Sequence, residues 1–332
     1  MTIRGRRSIF AALVLAVLLA GMAAAAALFR PPAQLESLRL GAYDGDVGAL
    51  EWIALDKGFF MEAGVQVALT GFPSGNAAVD ALRAGQVDVA TAADLVVAKR
   101  SFDEPDLRIL ADICRYWNKG LVARKDRGIT TLADLKGRRI GVPVTSTAEH
   151  NLVVLLAMQG LTTSDVTVID LAPAALVDGL ATGSIDAAIV WQPHVLAMQR
   201  RLGDNAVTLM DGGTEANLLL VARDGDVAPR AEALRRLMRG LVLAQRWVDS
   251  HPAEAKAYLA SRFKLAPAYI DILWPRMQLT VSLPQEILSA MDSEARWIAN
   301  TGKRAAVPDF SNTIHAPILM SVDPALVHVF VR

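Results

Sequence analysis

RIGVPVTSTAEHNLVVLLAMQ, residues 139–159, reads as a short buried strand, a polar loop and a long helix. Residues 140–144 make the strand, with Pro143 near its end. Thr145, Ser146 and Thr147 then place three hydroxyls in a row. Ser146, with Glu149 three residues on, fits a capping box and sets the helix start near Ser146. A helix N-terminus offers free N–H groups and partial positive charge, and hydroxyls beside it rotate to suit a ligand. Such a stretch can hold a small oxyanion. A capping box also satisfies its own donors, so the stretch counts only in combination with what surrounds it.

What surrounds it is a repeat. Gly41 answers Gly141 at the end of a strand. ALRAGQVDVA (residues 81–90) answers LATGSIDAA (residues 180–188): helix end, glycine stop, one polar residue, then a β-branched residue and an aspartate opening a strand. LVARKD (residues 121–126) answers LVARDG (residues 220–225). The intervals agree, at 47 and 45 residues from glycine to aspartate, then 33 and 34 to the LVAR segment. Three matches in register predict two similar lobes. The LVAR segments read either as extended crossings between lobes, and so hinges, or as ordinary buried strands.

Strand and helix patterns alternate from residue 38 onward, which predicts mixed sheets covered by helices. Ligands of open α/β sheets lie at the carboxyl ends of the strands. The loops 43–48, 72–76, 91–94, 145–150 and 191–194 should therefore face one another across a cleft. From residue 228 the pattern is mainly helical, with helices expected over 231–250, 253–262, 268–276 and 283–301. These read as cover for the first lobe, with Trp247, Trp274 and Trp297 as core residues.

The 332 residues are 53% hydrophobic and carry 34 basic against 34 acidic side chains. No basic block lies beyond the N-terminus, which argues against nucleic acid. One cysteine, Cys114, leaves no intramolecular disulfide and no Cys-rich zinc site, and five scattered histidines lack ligand spacing. No metal and no cofactor are expected. Residues 1–30 read as an export signal or a membrane anchor: Arg4, Arg6 and Arg7 precede an uncharged apolar run from Ile9 to Phe29, and residues 23–27 are alanines that offer cleavage sites. Cleavage near Ala27 would leave 31 basic against 34 acidic residues.

Several stretches together resemble one family. They are LRLG (38–41), ALRAGQVDVA (81–90), TLADLKGRRIGV (131–142), TAEHNL (147–152) and DAAIVWQP (186–193). The chain is similar to extracytoplasmic solute-binding proteins of the ABC-transporter nitrate/sulfonate/taurine family, which includes binders of thiamine-pyrimidine precursors. The resemblance implies an α/β, two-lobed periplasmic-binding-protein (type II, Venus-flytrap) fold. It implies a first lobe of residues 37–121 plus 222–332, a second of 122–221, and C-terminal helices packed on the first. It further implies a periplasmic monomer that captures a small-molecule solute and delivers it to an inner-membrane ABC permease. Carried to this sequence, Thr145, Ser146 and Thr147 match the hydroxyl loop and Trp191 an aromatic at the cleft edge. Tyr43, Asp46, Ser74, Asn76, Thr91 and Asp94 lie on the first-lobe loops.

Asp44, Asp46, Asp94, Glu149 and Glu215 are expected near the cleft, and no arginine falls in the ligand loops. Unpaired carboxylates repel an oxyanion and are costly to bury. A zwitterion such as taurine, or an amino-pyrimidine, suits that arrangement better than nitrate or a simple sulfonate. Two other classes are weighed. The yeast-type pyrimidine synthase shares the fold but needs a cysteine-rich stretch absent here, and no G-x-S-x-G occurs. A membrane-tethered sensing or docking module would keep only about eight residues in the cytoplasm.

Overall fold

The two halves of the repeat build two sheets of the same design. In the computed structural model, residues 35–144, 146–302 and 306–330 are described. The first sheet uses β1 (Glu36–Tyr43), β2 (Val65–Phe72), β3 (Val89–Ala93) and β4 (Leu107–Tyr116). The second uses β5 (Lys119–Arg124), β6 (Arg139–Val142), β7 (Thr167–Asp170), β8 (Ala187–Trp191) and β9 (Ala206–Gly212). The chain then returns to the first sheet with β10 (Ala216–Arg223) and β11 (Met277–Gln278). Strand orders are β11-β4-β10-β3-β1-β2 and β7-β6-β8-β5-β9.

Read from the outer edge, β2-β1-β3-β10-β4 matches β7-β6-β8-β5-β9 strand for strand. The registers match too. Gly41 pairs with Ala90 where Gly141 pairs with Ala188, both in parallel. β10 and β5 occupy equivalent places and each runs antiparallel to the strands on both sides. They are the LVAR segments. Each is buried, and each belongs to the sheet that the chain has just entered. They are therefore core strands, and the crossings lie immediately before them, between Tyr116 and Lys119 and between Gly212 and Ala216. Sheet membership thus places residues 119–121 with the second lobe and 216–221 with the first, where the sequence reading had put them on opposite sides.

The repeated aspartates have a shared task. Asp88 accepts from the Arg39 backbone N–H at 2.9 Å and from Arg39 Nη2 at 2.6 Å. Asp186 accepts from the Arg139 N–H at 3.0 Å and from Arg139 Nη2 at 2.7 Å. Each arginine also donates to the carbonyl of the helix-stopping glycine, Gly85 or Gly183. Those glycines sit at φ +67° and +80°, the left-handed region that ends a helix without a Cβ penalty. The clamp locks two adjacent strands at their amino ends, opposite the ends that face the cleft.

The apolar core of the first lobe continues into the C-terminal helices. Ala231–Ser250 packs on Ala49–Asp56, and Glu286–Gly302 on Asp94–Arg100. Helices Pro252–Arg262 and Pro267–Leu273 complete the cover. The three tryptophans are only half-buried. Lys57 lies over the Trp247 ring at 4.1 Å, Lys256 over Trp274 at 5.8 Å, and His150 contacts Trp297 at 5.4 Å. They pack where helices meet, the Trp297 indole N–H being buried without a hydrogen-bond partner among the described residues. Residues 1–30, read as a signal or anchor, lie outside the described residues; among the described residues no helix is long and apolar enough to cross a membrane.

Candidate functional site

The carboxyl ends of the strands of both sheets open on one cleft of ≈ 730 Å³. From the first lobe it takes Tyr43, Asp46, Ser74 and Asn76; from the second, Ser146, Thr147, Trp191 and the adjoining Gln192 to His194. Seven of the residues singled out from the sequence thus meet there. Ser146 caps the Thr147–Met158 helix, accepting from the Glu149 N–H at 3.4 Å while donating to the Pro143 carbonyl at 2.5 Å. Ser74 likewise caps Gly75–Arg83 through the Ala77 N–H. The cleft therefore lies against a side-chain-capped helix N-terminus from each lobe, and such ends favour negative charge. Thr145 lies outside the described residues.

Thr91 and Asp94 stand apart from this group. Both are wholly buried and neither lines the cleft. The Thr91 hydroxyl accepts from the Tyr43 N–H at 2.9 Å and so holds the first loop in place. Asp94 accepts from the Leu95 N–H at 2.9 Å, the Asn217 N–H at 2.9 Å and Asn217 Nδ2 at 2.8 Å. Burial raises its pKa, and these bonds and the nearby Lys119 ammonium offset part of the rise. It tethers β10 to the end of β3. Glu149 and Glu215 are also outside the lining. Of the five carboxylates expected at the cleft, Asp44 and Asp46 line it, and both have partners. Asp46 accepts from the Tyr269 hydroxyl at 2.7 Å and the Val47 N–H at 2.9 Å. Asp44 pairs with Arg262 at 3.2 Å.

No arginine lies in the ligand loops, as expected, but Arg262 reaches the cleft from outside them. It ends the Pro252–Arg262 helix, and with Phe263, Lys264 and Tyr269 it lines the cleft from the C-terminal cover. Its guanidinium lies 3.8 Å over the Trp52 ring, and Trp52 Nε1 donates to the Tyr43 carbonyl at 3.4 Å. The Tyr258 hydroxyl bonds Asp56 at 2.7 Å and fastens the same helix to Ala49–Asp56. No sequence signal marked these residues: basic side chains in a helix's last turn ordinarily complement its dipole. Tyr116 and Asn118, at the first crossing, were also missed and also line the cleft.

The electrostatic balance of the cleft is mixed. Burial, then Asp46 and Asp44, pushes the Tyr43 phenol up to about 12. Burial lowers His194, which keeps it neutral near pH 7. His150, 9% exposed, is packed on Trp297 outside the lining, as a core histidine. Cations come from Arg262 and Lys264, hydroxyls from Ser74, Ser146 and Thr147, amides from Asn76, Asn118 and Gln192. That set suits a small polar solute bearing an acid group.

The NMT1/THI5 like family profile matches residues 49–255. The chain belongs to the NMT1/THI5-like family. Among curated relatives, the taurine-binding periplasmic protein of Escherichia coli (strain K12) is 27% identical over 216 residues, 65% of this chain and 61% of that protein. This chain thus matches less than two thirds of that relative's length. A 4-amino-5-hydroxymethyl-2-methylpyrimidine phosphate synthase of Aspergillus parasiticus is 28% identical over 222 residues, 61% of this chain and 64% of the enzyme. Among solved structures, the periplasmic aliphatic sulphonate binding protein SsuA from Escherichia coli aligns with TM-score 0.73 at 20% identity, covering 85% of this chain and 92% of that one. At that identity the likeness establishes the fold. The proteins this chain is similar to thus carry names of binders and of enzymes, and the side chains in the cleft must decide between the two.

Proposed function

We propose that this protein is the periplasmic substrate-binding component of an ABC importer, capturing a small organic solute with a sulfonate-like acid group and delivering it to an inner-membrane permease. The observation that carries the reading is the lining of the cleft: cations from the first lobe face hydroxyls and a helix N-terminus from the second. The cleft volume is of the size that takes organic ligands, which favours an organic solute over nitrate. Asp46, in the same lining as the cations, favours a solute that also carries an amine, such as taurine. The protein acts as a monomer, since a single chain supplies both walls.

A catalytic reading has little to work with. Cys114 is wholly buried in β4, and burial pushes its thiol well above the ordinary value. His194 has no carboxylate hydrogen-bonded to it among the described residues, so no acid–base pair is formed at the cleft edge.

Thermal unfolding of the purified chain against taurine, ethanesulfonate, nitrate and an amino-pyrimidine thiamine precursor tests the proposal. A solute at about a hundred times its Kd adds about 2.7 kcal/mol, which raises the midpoint by several degrees. Taurine or ethanesulfonate should give a saturable shift, with the other two giving little. A shift confined to the pyrimidine would replace the sulfonate reading, and no shift with any of the four would remove it.

A further inference from the structure

We propose that the Arg262 guanidinium is the receptor for the acid group of the captured solute, and that Asp44 is its internal competitor for that position. The inference rests on the binding reading above and names the residue that would confer preference for an acid.

Three features of the site lead there. First, the guanidinium is fixed by aromatic rings, with Phe263 also 5.3 Å away. It stacks on Trp52 at 3.8 Å, while Trp52 is held by the Tyr43 carbonyl. The stack keeps the plane in place whichever anion lies at its edge. Second, its hydrogen bonding is under-used. Arg262 presents five N–H donors, and among the described residues it makes one hydrogen bond, Nη2 to Asp44 Oδ1 at 3.2 Å. The contact is single-pronged, whereas guanidinium–oxyanion pairs gain most from two parallel bonds. Third, the partner is easily displaced. The Asp44 side chain is 45% exposed, and an exposed ion pair of this kind contributes little. A sulfonate or carboxylate in the cleft, accepting two bonds where Asp44 accepts one, would displace it at small cost.

Lys264, two residues on, lines the same part of the cleft and adds a second positive charge. On the other side, Asp46 is held by Tyr269 and is not free to compete. Asp44 is then the carboxylate that sets the threshold for entry: a neutral solute cannot displace it, whereas an acid can. On this account the acid beside the cleft acts as a selectivity filter.

The test measures Kd for taurine and ethanesulfonate by calorimetry on wild type, Arg262→Gln, Asp44→Asn and the double variant, with unfolding curves to confirm folding. Arg262→Gln should weaken both sulfonates by about tenfold or more, the size of a lost charge-assisted bond. Asp44→Asn should tighten them, because the competitor is gone. The double variant should bind no better than Arg262→Gln alone, since Asp44 acts only through the arginine. An ion pair that merely braces the loop predicts the same direction for both single variants. Equal directions, or an unchanged Arg262→Gln, would overturn the inference while leaving the binding reading in place. A wild type that binds neither sulfonate would remove both.

Discussion

Glu51 sits at the back of the cleft loop, in the first turn of Ala49–Asp56, wholly buried. Neither carboxyl oxygen has a hydrogen-bond partner among the described residues. Burial pushes its pKa up to about 8, and its own backbone N–H and the nearby Thr91 hydroxyl offset only part of that rise. The folded protein therefore holds a neutral acid near pH 7, whereas the unfolded chain ionises it above about 4.5. The unfolded state then binds fewer protons, so this group's contribution to stability is complete below that value and is lost as pH climbs toward 8. At pH 7 the loss amounts to about 3 kcal/mol, at 1.36 kcal/mol per unit. Glu51→Gln, close in shape to the neutral acid, should gain on wild type by that order between pH 5 and pH 8. Urea unfolding at the two pH values measures the gap, and parallel behaviour of the two proteins would refute the assignment. The carboxylates clamped by arginine behave in the opposite sense. The bonds from Arg139 hold Asp186 below the ordinary range, so its contribution is present near neutrality and is lost only as pH falls through that lowered value.

At the scale of the element, the Pro252–Arg262 helix is the informative case. It ends with the Leu265 N–H bonded to the Ala260 carbonyl at 2.9 Å and the Lys264 N–H to the Ser261 carbonyl at 3.4 Å. This is the closure that places one left-handed residue just past a helix, a position that favours glycine. Here it is Lys264, at φ +54°. Lys264→Gly should stabilise the fold by about 1 kcal/mol, the cost of a side chain in that region, and raise the melting temperature by about 2–4 °C. A melting temperature at or below that of wild type would contradict the account. The contrast with the repeat shows what a sequence can reveal. The glycine–aspartate signature was legible because its parts are local: a left-handed stop, one polar residue, a strand-opening acid. The lobe boundaries were placed a few residues late because an LVAR strand looks the same in either sheet, and only pairing says which sheet owns it. Thr91 and Asp94 were expected at the cleft because alternation along β3 does not show where β10 will cover it. Arg262 was invisible because it reaches the cleft through a tertiary contact made more than two hundred residues after Asp44.

For the molecule as a whole, the proposed capture would require that two lobes joined by two crossings move while the ligand loops keep their shape. The second crossing carries Gly212 and Gly213 at φ +101° and +72°, a conformation that few other residues adopt in succession. Within it, Thr214 is tied to Asn151. The Thr214 N–H donates to Asn151 Oδ1 at 2.8 Å, and Asn151 Nδ2 donates to Thr214 Oγ1 at 2.7 Å and to the Thr147 carbonyl at 3.0 Å. Asn151 is 2% exposed and lies outside the cleft lining. It nevertheless joins the crossing to the first turn of the helix whose start faces the ligand. A hinge so fastened would carry its rotation to Ser146 and Thr147 through a side chain outside the cleft lining. Asn151→Ala should cost about 1–3 kcal/mol of stability, since it strips partners from buried polar groups, and should also weaken solute binding at a temperature where the variant is folded. Met158→Ala, at the far end of the same helix and 70% exposed, should change neither quantity. Kd and melting temperature on both variants separate the two possibilities. If Asn151→Ala lowers the melting temperature and leaves Kd untouched, the tie serves only to hold the crossing together. A loss in both, with Met158→Ala silent, means that the geometry of the site is set from the hinge.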